Sequence, residues 1–92
     1  MTKELVRKIR NTKFAVVSLP FGDDSKKKLV FKGSLYECLQ FYRVENFRFM
    51  LRGYSLAIGQ VVNESPYDIY VSSLDDDIFE YLYEGGRIYA ED

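Results

Sequence analysis

Ser34 and Glu37 constrain this chain more than any other pair of its residues. In GSLYECLQFYRVEN, residues 33–46, a serine is followed three positions later by a glutamate. That spacing predicts a capping box, in which each side chain accepts a hydrogen bond from the other residue's backbone N–H. Leu35, Cys38, Leu39 and Tyr42 then recur at i, i+3, i+4 and i+7, one face of a helix. A helix with such a stripe must bury it, and the segments around it read as the sheet that receives it.

Upstream, KFAVVSLPF (13–21) predicts a strand: Val16 and Val17 are β-branched, and Pro20 ends the pairing by removing a donor. GDDSKK (22–27) is a turn, because glycine and aspartate supply the backbone conformations turns require. KKLVFK (27–32) is the returning strand. Before this hairpin, residues 2–11 predict a short helix, with Leu5, Val6 and Ile9 inward and Lys3, Arg7, Lys8 and Arg10 outward. Downstream, Phe47, Phe49 and Leu51 alternate with Arg48, Met50 and Arg52, which predicts a second hairpin over 47–62 that turns at Gly53 and Tyr54. Gly59 marks a bulge or a close backbone approach. NESPYD (63–68) is a loop, and Ile69–Val71 a short strand. Ser73 with Asp76 opens a last helix, with Leu74, Ile78 and Leu82 inward and Gly85 and Gly86 as its stop. RIYAE (87–91) extends as a final short strand. The expectation is one α+β domain over residues 1–92: an antiparallel sheet of about four to five strands, with two to three helices packed mainly on one face.

LVFKGSLYECLQFY, Leu29 to Tyr42, resembles small orphan accessory proteins of bacteriophages and other mobile elements. The resemblance implies a host-interaction protein or an inhibitor of a host defence. It carries no catalytic residue, so none is assigned.

The chain has no histidine, which removes the commonest general base, the imidazole metal ligands and the Ser-His and Cys-His nucleophile pairs. No phosphate-binding loop, dinucleotide fingerprint or Cys/His cluster is present, so no catalytic, cofactor or metal residue is named and no cofactor is expected. Asp75, Asp76 and Asp77 lack the spacing of a calcium loop, and Asp75 and Asp77 are expected to point to different sides. Cys38 sits inside an apolar stripe and reads as packing. A single cysteine, a charged N-terminal stretch and the lack of about 18 consecutive apolar residues point to a cytoplasmic protein without a membrane partner.

Charge carries the functional reading. Residues 1–63 hold 12 Lys and Arg against five Asp and Glu, a balance of +7; residues 64–92 hold one Arg against nine acids, a balance of −8. Either the two blocks neutralise one another in the fold, or one of them faces a partner. Three aspartates suit the positive end of a helix dipole. Asp75, Asp76, Asp77, Glu80, Tyr81, Tyr83 and Glu84 together form the candidate protein-binding surface, acidic and tyrosine-rich, for a host protein. The alternative is a nucleic-acid-binding accessory protein using Lys26, Lys27, Lys28, Arg48 and Arg52. In a regular strand, however, Phe47 and Phe49 would lie opposite Arg48 and Arg52, which separates rings from cations. A third reading is a homo-oligomeric subunit joined through surfaces of opposite sign.

Overall fold

The computed structural model describes residues 3–64 and 69–83. Its elements run α1 (Lys3–Asn11), β1 (Phe14–Pro20), a single 3-10 turn (Asp24–Lys26), β2 (Lys28–Gly33), α2 (Leu35–Leu51), β3 (Tyr54–Glu64), β4 (Ile69–Ser72) and α3 (Asp76–Tyr83). The four strands form one open antiparallel sheet in the order β2-β1-β3-β4. The class is α+β, as the sequence predicts.

β1 is central because its residues are apolar on both faces. Phe14 and Val16 enter the helical side, where they meet Ile9 of α1, Leu35 and Cys38 of α2, Leu56 of β3 and Ile78 of α3. Ala15 and Val17 face the other way and join Val71, with Leu19, Leu29, Ala57, Val61 and Ile69 around them. All three described helices pack on the first of these faces. The tight β1–β2 connection uses Gly22 at φ +81°, a left-handed conformation that glycine adopts without steric cost. Asp23 accepts from the Ser25 N–H at 3.0 Å to hold the turn.

The capping box forms as expected. The Ser34 hydroxyl accepts from Glu37 N–H at 3.1 Å, and Glu37 Oε1 accepts from Ser34 N–H at 2.9 Å. The helix it starts runs further than the sequence predicts. Residues 47–51, expected as a strand, are the last turns of α2, so the second hairpin does not exist. No glycine or proline interrupts residues 35–52, and extending a helix costs less than nucleating a new element. The stop comes at Gly53, at φ +87°, with its N–H donating to the Met50 carbonyl at 3.0 Å. β3 is then one strand of 11 residues, and Asn63 and Glu64 belong to it and not to a loop.

Gly59 is a close approach. A Cβ there would overlap the Ser72 carbonyl oxygen and lie 2.6 Å from Val71 Cγ1, so β4 seats against β3 only because the side chain is missing. α3 begins two residues later than the Ser73 cap would place it: the Asp75 carbonyl accepts from Phe79 N–H at 2.9 Å. Gln60 Oε1 accepts from the Asp75 N–H and pins this start to β3. The expected loop around Pro66, the Gly85-Gly86 stop and the RIYAE strand lie outside the described residues.

Candidate interaction surfaces

The aspartate run is first of all a clamp on α1. Lys8 Nζ lies 2.9 Å from Asp75 Oδ2 and 3.0 Å from Asp77 Oδ1, so both carboxylates converge on one ammonium. This corrects the expectation that Asp75 and Asp77 point apart: Asp75 sits at the mouth of the helix, where its side chain is not bound by helical spacing. The pairing raises the Lys8 pKa, through Asp75 first and then Asp77. It lowers that of Asp75, through Lys8 first and then Gln60. A second junction lies at Glu64, which takes Lys32 Nζ from β2 and Lys13 Nζ at 3.2 Å. Lys32 and then Lys13 hold the Glu64 carboxyl below its ordinary range. Among the described residues, the +7 and −8 blocks thus meet within the molecule at two places.

Tyr81 turns inward, against the expectation that it falls off the apolar stripe. It packs with Leu74, Ile78 and Leu82 on the helical core, while Phe79 is 57% exposed. Three residues separate Ile78 from Tyr81, which is as close to one helical face as four, so the i+4 stripe alone undercounted the inner side. Asp76 and Glu80 are exposed and enter no ion pair among the described residues. Tyr83 ends α3, and Glu84 lies outside the described residues. Of the acidic candidates, Asp75, Asp76, Asp77 and Glu80 are all exposed, Asp75 and Asp77 paired with Lys8, and Phe79 takes the place of Tyr81 as the exposed ring.

The basic candidates are scattered. Lys26 and Lys28 are exposed at the hairpin tip, and Lys27 donates to the Val71 carbonyl at 3.4 Å. Arg48 is on α2, 3.5 Å from Glu45, and Arg52 caps the helix. Because residues 47–51 are helical, the strand face of rings and cations does not form. Cys38 is fully buried in the core, where desolvation and then the Glu37 charge push its thiol up to about 12. A thiol so far from its thiolate is no nucleophile at neutral pH. Among the described residues, no three metal-ligating side chains converge, and no helix is long and apolar enough to cross a membrane.

One exposed apolar surface is missed by the sequence reading. α2 carries apolar residues on two opposite sides, with polar residues between them. Leu35, Cys38, Leu39, Tyr42 and Phe49 face the core. On the opposite side Val44, Phe47 and Leu51 recur at i, i+3 and i+7 and are 62%, 64% and 72% exposed, with Tyr36 and Met50 exposed beside them. A helix apolar on both sides is one built to be covered on both. Only the Val44 end of this row borders a shallow groove of about 390 Å³, lined by Tyr36, Glu37, Gln40, Val44 and Glu45 together with Phe31 and Phe41, whose rings stack at 4.8 Å. Its signal was in the sequence: carried on to Gly53, the helical period puts Val44, Phe47 and Leu51 together.

No family model, no curated protein and no solved structure matches this chain.

Proposed function

We propose that this protein is a non-catalytic protein-binding module that docks on its partner through the outer face of α2. The observation that carries this reading is the exposed row of Val44, Phe47 and Leu51 on a helix whose opposite side already fills the core. Contiguous exposed apolar side chains with aromatic members are the usual mark of a protein contact. At the Val44 end the row adjoins a groove that the stacked Phe31 and Phe41 rings line. The resemblance of Leu29–Tyr42 to mobile-element accessory proteins gives the partner its class: a cytoplasmic host protein whose working surface the module occludes. The acidic side of α3 contributes less to this contact, because Lys8 occupies Asp75 and Asp77.

A photo-crosslinking amino acid in place of Phe47 tests this reading in extract of the host. The expected result is one dominant crosslinked host protein, lost when Val44→Asp is added, with an unchanged melting temperature. A crosslink to a second copy of this chain instead makes the α2 face a homo-oligomer contact. Crosslinking that ignores Val44→Asp overturns the reading.

A further inference from the structure

β3 extends past the strand beside it. Its Tyr54–Gln60 stretch pairs with β1 throughout, whereas β4 meets it only from Gln60 to Glu64. The Val61 N–H donates to the Lys13 carbonyl at 2.9 Å, which sets the parity of the ladder. In an antiparallel sheet, alternate residues of a strand bond to opposite neighbours. Residues 55, 57 and 59 therefore bond toward β1, and Leu56 and Ile58 turn their N–H and C=O groups the other way. Among the described residues no strand stands on that side.

What stands there is a cavity of about 700 Å³ that exposes the edge from Leu56 to Gly59. Tyr42, Phe79 and Leu82 wall it on the helical side, and Val17, Leu19 and Val71 on the other. Ser72 and Ser73 close one end, where the chain leaves β4 toward α3. The cavity thus presents donors and acceptors at strand spacing between two apolar walls. That combination suits a peptide backbone with side chains alternating to either wall, the arrangement by which an extended segment adds to a sheet edge. A rigid small molecule supplies no such alternating pattern. Its two sides differ in charge: Lys27 lines the wall on the Val71 side, where it donates to the Val71 carbonyl, whereas on the helical side Asp76 lies one turn before Phe79 and Glu80 next to it, both exposed.

We propose that this slot takes an extended segment of a partner protein, about five residues long, apolar at alternate positions and flanked by Lys or Arg. The segment joins the sheet as a strand along β3, in line with β4. Its backbone bonds to Leu56 and Ile58, its apolar side chains fill the two walls, and its cation meets Asp76 and Glu80. This site is separate from the α2 face and does not depend on it.

The test uses the peptide Lys-Val-Thr-Val-Thr-Val-Lys, a version with Glu at both ends, and a version of the basic peptide with every backbone amide N-methylated. Binding is read by amide chemical shifts of the labelled protein. The basic peptide is expected to move the Leu56 and Ile58 amides. N-methylation should weaken it at least about tenfold, since two or more backbone hydrogen bonds are lost. The Glu-ended peptide should bind more weakly, and the Asp76→Lys, Glu80→Lys double variant should reverse that order. Val44→Asp should leave all of this unchanged, so failure of the α2 face and failure of the slot are told apart. Absence of shifts at Leu56 and Ile58, or equal binding of the N-methylated peptide, overturns the proposal.

Discussion

Two single residues test the packing most directly. Gly59 allows β4 to approach β3, and a methyl group there meets a carbonyl oxygen that belongs to the opposing backbone and has nowhere to go. Gly59→Ala should therefore cost about 1–3 kcal/mol, the usual range for overpacking, seen as a lower urea midpoint. Cys38 shows the opposite case. Cys38→Ala removes one buried sulfur and leaves a small cavity, with an expected loss of about 1–2 kcal/mol and no loss of partner binding. A folded Cys38→Ala protein that no longer binds would show that the thiol has a role beyond packing. The sequence exposed the setting of both residues: Cys38 lies on a helical stripe, and glycine inside a β-branched run signals close approach.

The elements were legible to different degrees, and α2 shows why. Its start was plain, because a capping box is a local device whose two partners are three residues apart. Ser34→Ala should cost about 1 kcal/mol, read from the denaturation midpoint, with Ser34→Asp largely restoring it. Its end was not plain. Phe47 to Arg52 alternates like a strand and also continues the helical row, since Phe49 lies seven residues after Tyr42. The local pattern fits both periods; packing of Phe49 against the core decides between them. The same ambiguity hid the outer row of Val44, Phe47 and Leu51, which exists only if the helix runs on to Gly53. The α3 candidates were misread for a related reason. Asp75 and Asp77 meet over Lys8, a partner 67 and 69 positions away that no periodicity in the sequence reveals.

At the scale of the molecule, the opposite charges of its two blocks act as fasteners between distant parts of the chain. The pKa shifts give the pH dependence its sign. Asp75 and Glu64 are lowered in the folded state, so their contribution is present above the unfolded carboxylate range, about pH 4, and is lost as pH falls through their folded values. Lys8 is raised, so its contribution is full below about pH 10 and is lost as pH climbs through its folded value. Melting temperature should hold a plateau between these limits and fall on both sides. Asp75→Asn should flatten part of the acid limb, and added salt should lower the plateau slightly, as expected for exposed pairs. The strand order has a consequence in time. β2 follows β1 after one turn, but the other flank of β1 needs β3, with Phe14 opposite Gln60. A ribosome adding about 5–20 residues per second delivers the hairpin first, then all of α2, and only afterwards the strand that completes the ladder. For some seconds the nascent chain carries its most apolar strand half-paired, in need of shelter from other chains. Amide exchange on ribosome-arrested chains of increasing length should therefore show Val16 and Phe31 protected before β3 has emerged to protect Ala57 and Gly59.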